Sequence, residues 1–537
     1  MLCKTIAAAV TGIDAIQVDI EVSVDWGSGF TLVGLPDTAV KESAERVRCA
    51  ISQAGFDFPL KKIVINLSPA DVKKEGSAYD LPLAVGILAA DERVNADRLS
   101  RYMLMGELSL DGTLRSVKGA LPMAILARSL GLDGFILPRA NALEAAVVNN
   151  LNIYGADSLA EVVAFLNGDR DIAPTDVDTR AVFAAAQGHF DLDFAEVKGQ
   201  ENVKRAFEVA CAGGHNILLV GSPGSGKSMM AKRLPGIMPP LSLAEALETT
   251  KIHSVAGKIP TGTTLLTTRP FRSPHHTISP VALVGGGTFP TPGEISLAHN
   301  GILYLDELPE FPRQVLEVMR QPLEDRTISI SRAKYAIDYP ASFMLVASMN
   351  PCPCGYYGHP DKPCVCSEYQ RQHYLGKISG PLLDRIDLQI EVQPVKFEQL
   401  SSKAPGEPSA AIRQRVVVAR EIQTARYRAE KGIHCNAQMT NRLIHRYSEP
   451  DADGLAELRR AMTLSNMSAR AYDRILKVAR TIADLESAEK LLAAQGNNAA
   501  PAAVTQAVVD APVRMHHILE AISYRNLDRG GNLGSGL

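Results

Sequence analysis

The amino-acid sequence predicts a multidomain α/β protein centred on a phosphate-binding parallel sheet, and three observations carry that expectation. The apolar run Ile217–Val220 leads into Gly221-Ser222-Pro223-Gly224-Ser225-Gly226-Lys227-Ser228, and a helical pattern follows. This is the GxxxxGK[ST] spacing in the strand–loop–helix setting it requires. A second apolar run, Ile302–Leu305, ends in the acidic pair Asp306-Glu307. At 537 residues the chain also exceeds what one hydrophobic core organises, so several domains are expected.

Residues 1–168 alternate short apolar runs with amphipathic stretches and read as a first domain of mixed α/β order. Within it KKIVINLSPA reads as a strand leaving into a turn, and SAYDLPLAVGILAA as a helix with one apolar face. RYMLMGELSLDGTL reads as two strands about an Asp111-Gly112 turn, and GFILPRAN as a further strand. The polar text that follows makes 169–189 a linker. Residues 190–395 repeat strand, loop and helix, which suits a parallel sheet with helices packed on it. The segment 396–525 opens on a second linker-like stretch, QLSSKAPGEPSA, and continues as helical text without a strand pattern. The glycine-rich tail 526–537 is expected to be disordered.

A formal net charge of −3 gives no general attraction to polyanions, so any nucleic-acid contact must come from a local basic surface. The N-terminal apolar stretch carries Asp14 and Asp19 and does not read as a secretory signal; no run is long and apolar enough to span a membrane. Four of the eight cysteines are scattered and four are clustered (Cys352, Cys354, Cys364, Cys366). That usage fits a reducing cytoplasm with one metal cluster rather than a secreted disulfide framework.

The glycines of the loop let successive backbone N–H groups turn onto phosphates without a Cβ clash. Lys227 is then placed to reach the β- and γ-phosphates of ATP, and the Ser228 hydroxyl to reach Mg²⁺. Asp306 would hold Mg²⁺ through water, and Glu307 would orient and deprotonate the attacking water. A later apolar run, SFMLVASMNP, ends at Asn350, a candidate to align that water; the bland alternative is a strand-end asparagine capping a turn. Arg385, between a helix and a strand in SGPLLDRIDLQIEV, is a candidate arginine finger for a neighbouring subunit; the alternative is an ion pair with Asp384 or Asp387. Arg470, near the start of the helical stretch SARAYDRILKVARTIADL, is preferred as a second sensor over Arg474 and Arg480. The two Cys-x-Cys pairs offer four thiolates for Zn²⁺, with His359 as a substitute ligand, against the alternative of free thiols.

The order GSPGSGKS, FRSPHHTISPVALVGGG, PGEISLAHNGILYLDELPEF, NPCPCG, GPLLDRIDL and SARAYDRILKVARTIADL resembles the magnesium-chelatase-like AAA+ proteins of the YifB and ComM family, over nearly the whole chain. The resemblance implies an AAA+ core with a helical lid and a ring-shaped homo-oligomer, expected to be a hexamer. It also implies an ATP-dependent DNA motor that promotes branch migration while transforming DNA is integrated. The family implies a hairpin inserted in the second core helix and pointing into the ring pore. In the long stretch before the acidic strand, Lys251, Lys258, Arg269 and Arg272 are basic, with His275 and His276 as further donors. EDRTISISRAKYAIDYPASF reads as a second hairpin whose tip carries Arg332 and Lys334. Lys258, Arg272, Arg332 and Lys334 are the expected contacts to DNA phosphates.

The segments GLPDTAVKESAERVRCAI, INLSPADVKKEGSAYDLPLA and GELSLDGTLRSVKGALPMAILA resemble the Lon-type protease fold, a ribosomal-protein-like α+β domain. Ser77 falls where the Lon serine would, but Leu121 stands at the position of the Lon lysine, and Lys118 is three residues off register. A non-proteolytic scaffold is therefore expected. Three functions remain at this level: a DNA motor, a Lon-like ATP-dependent protease or unfoldase, and a remodelling ATPase of the magnesium-chelatase type. The chelatase reading is disfavoured by a Lon-like N-terminal domain that is not expected in that pattern.

Overall fold

In the computed structural model the described residues are 2–185, 190–260, 262–287, 290–332, 335–395, 405–465, 467–495 and 505–525. The N-terminal part begins with a hairpin. Leu2–Thr11 pairs antiparallel with Asp14–Asp25, Thr11 opposite Asp14, and Gly12 takes a positive φ of 65° in the two-residue turn. Along the second strand Val18, Ile20, Val22 and Val24 are buried while their neighbours are not, the period of two that seats one sheet face on a core. Five more strands complete a seven-stranded sheet, ordered Gly29–Val33, Lys62–Ser68, Asp14–Asp25, Leu2–Thr11, Tyr102–Leu104, Gly134–Pro138, Asn152–Ala156. The strands read from the sequence are present, and Glu107–Leu108 pairs with Leu114–Arg115 around the Asp111-Gly112 turn.

The helix Asp80–Ala90 departs from expectation. Every residue in it is buried, so it has no polar face: it lies between the sheet and the helix Thr38–Gln53. Its one charge, Asp80, accepts Arg46 Nε at 2.9 Å and Nη2 at 3.1 Å.

The central sheet has five strands, ordered Phe271–Arg272, Ile302–Leu305, Met344–Met349, Ile217–Gly221, Leu388–Val392, and all its pairings are parallel. Its middle strands are buried throughout, which explains why they read as unbroken apolar runs. The helical segment packs beside it: Ser409–Arg426 and Ala469–Gln495 lie against each other and against Glu201–Gly213. At the centre of this segment Asp484 is fully buried and accepts Arg426 at 2.6 and 2.7 Å, Arg480 at 3.1 Å and Asn436 at 2.8 Å.

The two parts are joined more closely than a linker implies. The helix Leu243–Val255 lies on the N-terminal helix Ala120–Ser129, and Leu241, Ala246 and Leu265 enter the N-terminal core. Lys251 pairs with Asp14, and Gly119 N–H donates to Ser254 at 3.1 Å. Part of the proposed linker is also tied down, since Thr175 N–H donates to Ile153 at 2.8 Å. The tail 526–537 lies outside the described residues.

Two hairpins are inserted in the core. One, Gly285–Gly286 with Thr291–Pro292, splits the helix between the second and third core strands into Pro280–Val284 and Glu294–Leu297. The other pairs Thr327–Arg332 with Tyr335–Pro340, Arg332 opposite Tyr335, so that Arg332 closes the strand instead of lying in the turn.

Candidate functional site

The site is built at the carboxyl ends of three adjacent central strands, where parallel α/β sheets place ligands. Ile217–Gly221 delivers the glycine-rich loop, in which Gly224 and Gly226 hold φ of 79° and 88°, values that a side chain resists. The helix that follows is short, Lys227–Ala231. Lys227 Nζ donates to the carbonyls of Gly221 and Ser222 at 2.7 and 2.9 Å and to Asn350 Oδ1 at 3.3 Å. Burial lowers the pKa of this ammonium, with Asp306 and Glu307 opposing the shift. Ser225 Oγ, buried in the same loop, has no hydrogen-bond partner among the described residues.

The second strand, Ile302–Leu305, delivers Asp306. Ser228 Oγ donates to Asp306 Oδ2 at 2.7 Å, and Ser348 Oγ donates to Oδ1. Burial alone would raise the Asp306 carboxyl, but the Ser348, Ser228 and Tyr304 hydroxyls hold it below the usual carboxylate range. A hydroxyl and an ionised carboxylate side by side are the oxygen set that suits Mg²⁺ beside a triphosphate. Glu307 sits at φ 54°, a left-handed conformation that turns it off the strand. Its carboxylate lies 3.7 Å from His276 Nδ1. The third strand, Met344–Met349, delivers Asn350. Glu307 and Asn350 line a cavity of about 400 Å³ together with Tyr369, Gln370, His373 and Tyr374.

Arg385 and Arg470 are elsewhere. Asn216, just before the loop-bearing strand, donates its Nδ2 to the carbonyl of Arg385 at 2.9 Å, which fixes Arg385 at the amino ends of the strands. The Arg385 guanidinium donates to Pro381 O at 2.5 Å and to Glu324, and its Nε has no partner among the described residues. Arg470 lies beside it, paired with Asp384 at 3.3 Å. The intervening strand, Ile217–Gly221, is about 13 Å long at the usual rise. Neither arginine is therefore next to the phosphate loop of its own chain. Arg474 is bound to Asp387, and Arg480 lies in the buried Asp484 network.

The basic stretch expected to face a pore is largely committed inside the protein. Arg269 donates to Pro239, Pro240 and Asn300 carbonyls and to Glu245. Arg272, expected as a DNA contact, is on the edge strand of the central sheet and is held by both oxygens of Glu294, at 2.6 and 2.7 Å. Its charge is neutralised, so that assignment is withdrawn. The hairpin that splits the core helix lies further on, at Gly285–Pro292. Lys258 is exposed. Arg332 ends a hairpin strand, while the expectation for Lys334 lies outside the described residues. His275 and His276 stack at 4.1 Å, with His276 turned to Glu307 and Phe311.

The four clustered cysteines converge: their sulfurs all lie within 4.8 Å of one another. In the N-terminal part Ser77 Oγ donates to Glu107, and Leu121 is fully buried. Two residues that sequence reasoning did not single out matter here. Ser348 holds Asp306, and its signal is a polar side chain within an otherwise apolar strand. Asn216 ties three strands together through Arg385 O, Leu345 N and Asp387.

Three family profiles match the chain. The family profile described as "Magnesium chelatase, subunit ChlI" matches residues 193–400, and that of "Magnesium chelatase, subunit ChlI C-terminal" matches 406–500. "Subunit ChlI of Mg-chelatase" matches residues 18–141. A chelatase-family profile thus reaches into the N-terminal part, contrary to the expectation that this part sets the chain apart. An uncharacterized protein YifB of Salmonella typhimurium is 44% identical over 527 residues, covering 97% of this chain and 96% of that protein. The competence protein ComM of Haemophilus influenzae is 44% identical over 482 residues, covering 89% of this chain and 93% of its own length. The magnesium-chelatase 38 kDa subunit of Rhodobacter capsulatus is 27% identical over 218 residues, 37% of this chain and 55% of that protein.

Proposed function

The chain belongs to the magnesium-chelatase-like AAA+ family of YifB and ComM, and on that premise we propose that it is a ring-forming ATPase motor acting on DNA. Its task in this reading is branch migration during integration of incoming DNA by homologous recombination. The observation that carries the reading is a divided site. Lys227, Ser228, Asp306, Glu307 and Asn350 meet at the carboxyl ends of the central strands, and Arg385 and Arg470 lie together at their amino ends.

The loop amides and Lys227 bind the phosphates of ATP, and Ser228 and Asp306 hold Mg²⁺. When bound, that ion neutralises charge on the β- and γ-phosphates. Glu307, its carboxylate 3.7 Å from His276 Nδ1, takes a proton from the attacking water. Asn350, level with Lys227, positions that water. Arg385 and Arg470 serve the nucleotide of the adjacent protomer, which makes assembly, expected to be hexameric, a condition of turnover. Lys258, Arg332 and Lys334 are assigned to DNA phosphates, which gives sequence-independent grip.

The N-terminal part is assigned to a Lon-like but non-proteolytic docking module. Its candidate serine is committed to Glu107, and an aliphatic side chain fills the place of the Lon lysine. The test of the DNA reading is unwinding of a four-way junction with and without ATP, beside Lys227→Ala and a double Arg332/Lys334→Ala variant. Junction-stimulated hydrolysis and unwinding that both vanish in Lys227→Ala support it. Absence of DNA binding and stimulation at low salt refutes it.

A further inference from the structure

We propose that the cysteine cluster is a tetrahedral Zn²⁺ site that positions the nucleotide-binding loop and the Asn350 strand end, making ATP turnover depend on the metal. The proposal rests on the ATPase reading above for its consequence, though not for the site itself.

Cys352 and Cys354 Sγ are 3.4 Å apart, Cys352 and Cys364 are 3.7 Å, and Cys354 and Cys364 are 3.6 Å. A tetrahedral Zn²⁺ with Zn–S bonds near 2.3 Å sets its sulfurs about 3.8 Å apart. Cys366 closes the set, its Sγ accepting the Cys354 N–H at 3.3 Å, and none of the four is in a disulfide. All-thiolate, tetrahedral coordination favours a soft borderline ion such as Zn²⁺ over Mg²⁺ or Ca²⁺.

Cys352 is two residues beyond Asn350 and fully buried, while Cys366 precedes Ser367, which caps the helix Glu368–Leu375. That helix and Asn350 line the same cavity beside Glu307. Between them the chain has no regular secondary structure of its own to hold its shape. The loop also presses on the phosphate loop. A Cβ on Gly355, at φ 82°, would lie 2.5 and 2.7 Å from Pro223 Cδ and Cγ. Tyr357, Gly358 and His359 share a small cavity with Gly221 and Ser222. Arg371 braces the outside, donating to Cys366 O at 2.9 Å with its guanidinium 4.5 Å from the Tyr357 ring. One ion thereby fastens three surfaces of the nucleotide pocket.

The experiment measures zinc and nucleotide separately. The full chain, purified under reducing conditions, is analysed for metal by mass spectrometry. Zinc release by an organomercurial is followed with a chromogenic chelator, and the affinity for a fluorescent ATP analogue and the rate of hydrolysis are read before and after. One zinc per protomer is expected, with at least a tenfold loss of nucleotide affinity or turnover on release and recovery on adding thiol and Zn²⁺. Lys227→Ala is expected to keep its zinc while losing turnover. A Cys364→Ser/Cys366→Ser variant should lose the metal, and its thermal unfolding shows whether the rest of the chain folds. A protein that turns over ATP without metal overturns the proposal and leaves the ATPase reading standing. So does a metal whose removal leaves affinity and rate unchanged. Stoichiometric zinc in a chain that never hydrolyses ATP sinks the ATPase reading and the coupling, while the site itself stands.

Discussion

Replacing Arg385 by Ala and mixing the product with Lys227→Ala protomers tests the divided site directly. Arg385 is fixed at the amino ends of the central strands by Asn216, and the phosphate loop leaves their carboxyl ends, about 13 Å away at the usual strand rise. An arginine finger contributes about 10³ or more in turnover, so Arg385→Ala alone should be nearly inactive while still binding ATP. Lys227→Ala should be inactive for the separate reason that its own loop fails. In rings assembled at random from equal amounts of both, about one interface in four joins an intact loop to an intact finger. The mixture should therefore recover about a quarter of wild-type turnover per protomer, where each parent gives almost none. Phosphate release is the assay, with subunit exchange confirmed by energy transfer between labelled protomers. A mixture no more active than its parents, despite exchange, refutes the reasoning, as does an Arg385→Ala protein with wild-type turnover. The same geometry sets a smaller effect. Arg385 must leave Glu324, whose side chain is about half exposed (55%). The Arg385 guanidinium itself is buried, so the range for exposed pairs does not bound this contact; Glu324→Gln should raise turnover by freeing the arginine, by less than Arg385→Ala lowers it.

Glu307→Gln should lower kcat by about 10²- to 10⁴-fold while a fluorescent ATP analogue still binds, which single-turnover kinetics and titration read out. Asp387→Asn should destabilise the joint between sheet and helical segment by about 3–5 kcal/mol near neutral pH, measured by chemical denaturation, because it strands the Arg474 charge. Burial alone would raise the Asp387 carboxyl, but Arg474 and His215 hold it far below its ordinary value. Its contribution is complete above about pH 4, the unfolded value, and is lost as pH falls through the lower folded value; the variant should flatten that acid limb. Charge reversal at Lys258 and Lys334 should weaken DNA binding evenly across sequences and reduce the salt slope by about one per lost contact, whereas Arg272→Gln should leave that slope unchanged.

The catalytic loop was legible because its chemistry is local: eight consecutive residues after an apolar strand specify the cradle whatever lies around them. The strand ends bearing Asp306 and Asn350 were legible for the related reason that strands buried on both faces read as continuous apolar runs. What failed depended on partners distant in sequence. Arg272 and Arg269 look like free cations in the sequence, and Glu294 and Glu245 neutralise them only when the chain folds. Asp80–Ala90 carries enough apolar residues for either a one-sided or a fully enclosed helix, and only the packing of Thr38–Gln53 over it decides. The boundary after the N-terminal part was blurred because Leu241, Ala246 and Leu265 complete a core begun by the first 172 residues.

The divided site also bears on how one subunit informs the next. Asn216 and Asp387 form a junction at the amino ends of the strands. Asn216 is bonded to Arg385 O, Leu345 N and Asp387, and Asp387 in turn holds Arg474 on the long helix Ala469–Gln495. His215, in the same junction, reaches Thr481 of that helix at 2.8 Å. Arg385 and Arg470 extend from this junction, and Leu345 is the second residue of the strand Met344–Met349 that leads to Asn350. A displacement of those arginines by a neighbour's phosphates therefore acts on the helical segment and on the strand bearing Asn350 through direct hydrogen bonds and ion pairs. Coupling of this kind requires an element with two arrangements. In the proposed ring the Arg385–Glu324 pair would be that element, the guanidinium being held by its own protomer until an anion from the next competes for it. Information in the ring would then run from a nucleotide, through the arginines that sense it, into the adjacent protomer's own site.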